Sequence, residues 1–199
     1  MLYTTLTLSK KYEGYKNFNQ KVANECKKGN LVRIKKGLYT DDLYKDIPLI
    51  ANFCYSPSYI SFEYALFYYG LTPEYVSLIT SATFNKKNSK EYKVKNISFE
   101  YNSIPNDAFP YGIEYFKVND TRYKMASKEK ALCDVLYAKY PVRSIKDLKN
   151  LLFEDLRVDE DEFMNLDFDF IIFIADKYHS NTLSTLKKYV EGLKNERRN

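Results

Sequence analysis

The chain carries a single histidine, His179, and three cysteines among its 199 residues. His179 falls at the expected end of a helix, where a capping or exposed role suits it better than that of a general base. A paired-histidine metal site would need a second histidine. Cys26, Cys54 and Cys133 are odd in number and far apart, and none has the C-x-x-C spacing, which argues against a disulfide framework and against structural zinc. No apolar run approaches the roughly 18 residues that span a membrane, since even "FDFIIFIA" contains Asp169. The start, "MLYTTLTLSKK", lacks the charged-then-apolar order of a signal peptide. Neither G-x-x-x-x-G-K-[ST] nor G-x-G-x-x-G is present to cradle a phosphate. These absences lead to the expectation of a cytoplasmic, reduced, soluble protein that uses no metal and no cofactor and is not an enzyme.

What is present is apolar enough to build a core: 45% of the residues are hydrophobic, against 29% charged. The length allows one medium domain or a small module joined to a larger one. Charge favours the second arrangement. Residues 1–40 hold nine Lys or Arg against Glu13 and Glu25, a net +7, so with +5 for the whole chain the remainder carries −2. A basic end on a near-neutral body suggests a polyanion-binding module attached to a part with other duties.

The stretch "NFNQKVANECKKG", residues 17–29, reads as a helix. At about 100° per residue, Phe18, Val22 and Cys26 form one apolar stripe. Asn17, Gln20, Lys21, Asn24, Lys27 and Lys28 fall on the opposite side, with Glu25 at its edge. Asn17 is the expected N-cap and Gly29 the residue just past the end. In "GNLVRIKKGLYT", residues 29–40, Val32 and Ile34 alternate with Arg33 and Lys35, and Gly37 supplies the positive φ of a tight turn. A helix followed by a basic hairpin has the order of the second half of a winged helix-turn-helix. Amides and cations on one face suit base edges and phosphates. The candidate DNA-binding residues are therefore Asn17, Gln20, Lys21, Asn24, Lys27 and Lys28 on the helix and Arg33, Lys35 and Lys36 on the hairpin. A solvated surface is the plainer alternative for the same charges.

Beyond the acidic joint "DDLYKD" the pattern changes. Pro48 opens a short helix, and Ser61 and Gly70 bracket another in "SFEYALFYYG". "VSLIT", "EYKVKNISFEYNSI" and "GIEYFKVNDTRYKMA" read as strands, the last turning at Asn119 and Asp120. Ser127 caps "KEKALCDVLYAKY", Ser144 with Asp147 suggests a capping box, and two more helical stretches run from about Glu160 to Lys194. "EKALCDVL" is the expected structural centre. The twenty tyrosines are scattered and read as core and rim residues. The acids of "DEDE", residues 159–162, suit the start of a helix. The expected fold is α+β: a winged helix-turn-helix over residues 1–46, then a mixed α/β domain over 47–199 that ends in helices.

Taken together, "GNLVRIKKGLY", "SPSYISFEYALFYYGL", "LITSATF" and "ASKEKALCDVLY" resemble the AbiEi family, over about residues 16–140. Members of that family are antitoxins and transcriptional regulators paired with nucleotidyltransferase-like toxins in bacterial abortive-infection systems. The resemblance implies that a winged-helix N-terminus binds double-stranded DNA at the operon's own promoter, as a monomer or weak dimer acting cooperatively. It also implies that the C-terminal part neutralises the toxin. One departure is visible: only "LSKKYEGYK" precedes the expected recognition helix, where the family often has two helices. Two other readings stand beside this one. A DNA-targeted, metal-dependent nuclease would use Glu63 and Glu100 with Lys93, because such sites need two carboxylates for Mg²⁺ and a lysine. The other is a regulator with no toxin partner.

Overall fold

Thr4 fixes the first turn of the chain. Its hydroxyl accepts from the Thr7 backbone N–H at 3.2 Å while Thr7 Oγ1 accepts from the Thr4 N–H at 2.8 Å, a reciprocal cap. The computed structural model describes residues 1–198. Strand β1 (Leu2–Thr4) leads into α1 (Thr5–Lys11), α2 (Phe18–Lys27), β2 (Val32–Lys35) and β3 (Leu38–Thr40). These strands form an antiparallel sheet in the order β1-β3-β2, with Tyr3 opposite Tyr39 and Arg33 also opposite Tyr39. Strand β1 is absent from the sequence reading. Three residues carry too little alternation to mark a strand, and β1 exists only because β3 supplies a partner.

The rest of the chain is a six-stranded mixed sheet with helices. It runs through α3 (Ile47–Cys54), β4 (Ser58–Ile60), α4 (Phe62–Tyr68), β5 (Ile79–Thr83), β6 (Lys90–Val94), β7 (Ile97–Ser103), β8 (Ile113–Val118) and β9 (Thr121–Ala126). The strand order is β6-β7-β5-β4-β9-β8; β5 pairs parallel to β7 and β4 parallel to β9, and the other pairs are antiparallel. Helices α5 (Lys128–Ala138), α6 (Ile145–Lys149), α7 (Glu160–Met164), α8 (Phe168–Ala175) and α9 (Asn181–Arg198) follow, with a π-helical turn at Asn150–Asp155. The α+β class and the mixed sheet are therefore as the sequence indicates. Several details differ: β4 is absent from the sequence reading, and the strand expected at "VSLIT" begins only at Ile79. "EYKVKNISFEYNSI" folds back at Lys95, whose φ is +54°, and makes two strands. Three helices rather than two follow Glu160. Ser144 makes only half a capping box, since its hydroxyl donates to Asp147 Oδ2 instead of leaving that carboxylate for the backbone. Among the described residues no helix is long and apolar enough to cross a membrane.

Two hydrophobic clusters share the small sheet. Tyr3, Leu8, Val22 and Leu31 pack between that sheet and the first two helices. Ile34, Leu38 and Leu43 instead join the large core with Leu49, Ile50 and Ala51 of α3. The small sheet therefore packs against the body on one face and against its own helices on the other. Polar bonds reinforce the seam: Thr40 Oγ1 donates to Asp46 Oδ2 at 2.6 Å, and Lys35 Nζ donates to the Cys54 carbonyl at 2.6 Å.

At the middle of the body, Lys130 and Asp134 are fully buried on α5 and pair at 3.1 Å. Lys130 Nζ also donates to the Ala108 carbonyl (2.9 Å) and to Tyr178 Oη (2.5 Å). Asp134 accepts from the hydroxyls of Tyr178 (2.5 Å), Ser61 (2.6 Å) and Tyr59 (3.0 Å). This use of Ser61 explains why it begins α4 without a side-chain cap. Gly112 allows the close approach: its φ is +64°, and an added Cβ would lie 2.8 Å from Lys130 Cβ and 2.9 Å from Phe170 Cζ. Replacing Asp134 with Ala strands a buried ammonium and three hydroxyls and is expected to cost about 3–5 kcal/mol. Lys130→Met leaves Asp134 its three hydroxyl donors and should cost less. Urea unfolding of both variants checks the order, and an equal or reversed order would contradict it.

Candidate nucleic-acid interface

Asn17 begins α2 by accepting the Gln20 N–H on its side-chain oxygen at 3.1 Å, and Gly29, at φ +80°, ends it. The helix then buries Val22 and, unexpectedly, Glu25. Glu25 takes Lys21 Nζ at 3.0 Å on one oxygen and Asn30 Nδ2 at 2.8 Å on the other. The Asn30 amide and the Lys21 ammonium hold its carboxyl below the usual glutamate range. Lys21 is held in turn, with its ammonium over the rings of Tyr15 (4.6 Å) and Tyr12 (5.2 Å) and its pKa raised chiefly by the bond to Glu25. The one acid of the helix is thus folded inward. What α2 leaves exposed is Asn19, Gln20, Ala23, Asn24, Lys27 and Lys28. Gln20 Nε2 donates to Asn24 Oδ1 at 3.0 Å, which aligns the two amides and leaves each with further hydrogen-bonding capacity.

Across from α2 stands the hairpin. Gly37, at φ +83°, makes its turn, and an added Cβ would meet Thr5 Oγ1 at 3.2 Å. A cleft of about 560 Å³ separates helix from hairpin; Phe18, Val22 and Tyr39 floor it, and Asn19, Arg33 and Lys36 edge it. Arg33 and Lys36 are exposed. Lys35 points away toward the body and spends its ammonium on the Cys54 carbonyl.

The nine residues singled out from the sequence therefore divide. Gln20, Asn24, Lys27 and Lys28 stand exposed on or just past α2, outside the cleft, and Arg33 and Lys36 lie on the hairpin side of the cleft. Asn17 is engaged as a cap, Lys21 by Glu25 and two tyrosines, and Lys35 by α3. Asn19 was missed: its value comes from its place at the cleft, and helical periodicity says nothing about which side the hairpin docks on.

The glutamates of the nuclease reading do come together. The pentapeptide "ISFEY" occurs at residues 60–64 and 97–101, and Glu63 and Glu100, one from each copy, line a single cleft of about 470 Å³ with Thr80, Asn102 and Lys139. Lys93 lies outside it. Glu63 pairs with Lys139 Nζ at 2.8 Å, and Glu100 accepts from Asn102 Nδ2 at 2.9 Å. Among the described residues no group of three or more His, Cys, Asp or Glu side chains is arranged to hold a metal ion. His179 is exposed at the end of a short 3₁₀ turn, with Nε2 3.0 Å from Asp107 Oδ2, and Asp159 caps α7.

In comparisons with known proteins, no family model matches the chain and no curated protein matches it.

Because the Glu25 carboxyl is depressed in the folded state, its contribution to stability is present above the ordinary glutamate range and is lost as pH falls through the folded value. Glu25→Gln removes that dependence. The variant is expected to be less stable than the parent at about pH 7 and to lose less on going to about pH 4. Denaturant midpoints at the two pH values measure it; parallel losses in both proteins would contradict the assignment.

Proposed function

We propose that this protein is a DNA-binding transcriptional regulator whose residues 1–46 act as a winged helix-turn-helix. In this reading α1 and α2 are the helical pair, α2 enters the major groove, and β2–β3 is the wing. The observation that carries it is the acid-free exposed face of α2 beside a cleft that Asn19 shares with Arg33 and Lys36. The order strand, helix, helix, strand, strand and the sheet order β1-β3-β2 support it. They also bear on the short N-terminus, since β1 and the single helix α1 occupy the place of the two helices common in the AbiEi family.

Roles then follow from placement. Lys27, Lys28, Arg33 and Lys36 contact phosphates, which gives affinity and salt dependence without sequence preference. Asn19, Gln20 and Asn24 present amides that can bond base edges. Lys35 tethers the wing to α3. The resemblance to AbiEi antitoxins extends the proposal: the DNA is the operon's own promoter, and the body neutralises a nucleotidyltransferase-like toxin.

Substitution tests the DNA role. Arg33→Ala and Lys36→Ala should each weaken binding to promoter and unrelated DNA alike and lower the salt slope by roughly one. Lys35→Ala should leave the slope alone and lower stability. Asn24→Ala should cost about 1–3 kcal/mol on the promoter and little elsewhere. A mobility-shift series over salt concentration reads all three, and an unchanged slope in folded Arg33→Ala, Lys36→Ala protein would remove the main support.

The antitoxin role is tested in the full-length protein. Truncation at Ile47 would strip Ile34, Leu38 and Leu43 from the body's own core. The Arg33→Ala, Lys36→Ala protein, co-expressed with a nucleotidyltransferase-like toxin from the adjacent reading frame, should still rescue growth while a promoter reporter is derepressed. Rescue lost together with repression, in a protein that remains folded, would contradict the division of tasks.

A further inference from the structure

A second basic segment lies in the body. Residues 84–96 carry Lys86, Lys87, Lys90, Lys93 and Lys95 against Glu91, a net +4, while the rest of residues 47–199 sums to −4. Part of this segment is assembled next to the wing. Tyr55 directly follows Cys54, whose carbonyl holds Lys35 Nζ. Lys86 Nζ sits 5.0 Å over the Tyr55 ring, Tyr55 and Tyr92 are 6.1 Å apart between ring centres, and Lys90 Nζ lies 5.8 Å over Tyr92. A row of aromatic rings topped by lysines thus starts where the wing meets α3 and runs out to β6, an edge of the large sheet. The loop is fixed in place: Ser103 Oγ donates to the Lys86 carbonyl, and Asn85 N–H donates to Asn106 Oδ1 at 3.0 Å. At the far turn Tyr44 Oη bonds Asn96 Oδ1 at 3.4 Å, which joins the β6–β7 hairpin to the segment after the wing. Among the described residues no carboxylate forms an ion pair with Lys86, Lys87 or Lys90. Lys93 alternates to the other side of the strand, with Glu91 and with Glu100 of β7.

We infer that Lys86, Lys87 and Lys90 form a second phosphate-contacting strip, on which the DNA duplex held by α2 and the wing continues across the body. The inference rests on the DNA-binding reading above. Charge complementarity selects the partner: three cations free of internal carboxylates, continuous with a cationic wing, match the regular phosphate spacing of a duplex. Holding the Lys86 and Lys90 ammonium groups over rings also limits the side-chain entropy lost on contact. A plainer role for edge-strand lysines is to prevent sheet-to-sheet association, and that role requires no continuity with the wing.

The test is fluorescence anisotropy of the full chain on two duplexes of about 30 base pairs, one from its own upstream region and one of random sequence, across salt concentration. Four proteins are compared, each checked by circular dichroism: the parent, Arg33→Ala with Lys36→Ala, Lys86→Ala with Lys87→Ala and Lys90→Ala, and Lys93→Ala with Lys95→Ala as the control. The strip variant is expected to lose two to three units of salt slope on both duplexes, since each lost phosphate contact removes about one. The control should keep the parent slope. An unchanged strip variant beside a reduced wing variant would overturn the strip and leave the DNA-binding reading standing. No change in either would overturn both. A control that falls as far as the strip variant would show an effect of net charge alone, and increased self-association with an unchanged slope would assign the lysines to edge protection; either result overturns the strip.

Discussion

The body is organised around an ion pair that never meets water. Lys130 and Asp134 lie one turn apart on α5, and a pair taken out of solvent is tolerable only when every remaining donor and acceptor is used. Here Ala108, Tyr178, Tyr59 and Ser61 complete the set. Those partners come from the loop before β8, the turn after α8, strand β4 and the start of α4. One charged pair therefore fixes how the sheet, α4 and the C-terminal helices sit on one another. Hydrophobic packing surrounds it, but packing alone is tolerant of small shifts, whereas short hydrogen bonds to a buried carboxylate are not.

A frame held in this way gives the small N-terminal sheet something rigid to rest on. One face of that sheet carries Tyr3 and Tyr39 toward the first helices, and the other carries Ile34 and Leu38 into the body's core. The position of α2 relative to the rest of the molecule is consequently set by side chains on both sides of a three-stranded sheet. Lys35 adds a polar tether at the same seam. This coupling has a mechanical meaning: anything that displaces α3 also displaces the hairpin, and with it the cleft between Arg33, Lys36 and α2.

The seam also gives the lysines of the β5–β6 region their significance. Lys93 on one side of β6 stands among carboxylates, while Lys90 on the other side, and Lys86 in the loop before the strand, lie over tyrosines that lead back to the β2–β3 hairpin. Strand alternation separates two sets of residues that composition counts together. The two "ISFEY" segments show the converse. One copy spans a strand end and a helix start and the other a strand, yet folding brings Glu63 and Glu100 to one cleft.

Sequence alone determined the parts whose causes are local. Helix α2 was legible with its ends because Asn17 caps through its own side chain and Gly29 takes a positive φ. The hairpin was legible because Val32 and Ile34 alternate with charge and Gly37 permits the turn. Ser127 and the apolar face of α5 were legible for the same kind of reason. Tertiary structure alone decided the rest, because it depends on partners remote in the chain. Strand β1 exists by pairing with β3, and Ser61 gives up its cap for a carboxylate 73 residues away. Lys35, indistinguishable from Lys36 by sequence, finds a carbonyl on α3, while Asn19 gains its place only from the side on which the hairpin docks. Periodicity and capping act within a few residues, so they fix elements; which polar groups remain free for a ligand is fixed only when those elements meet.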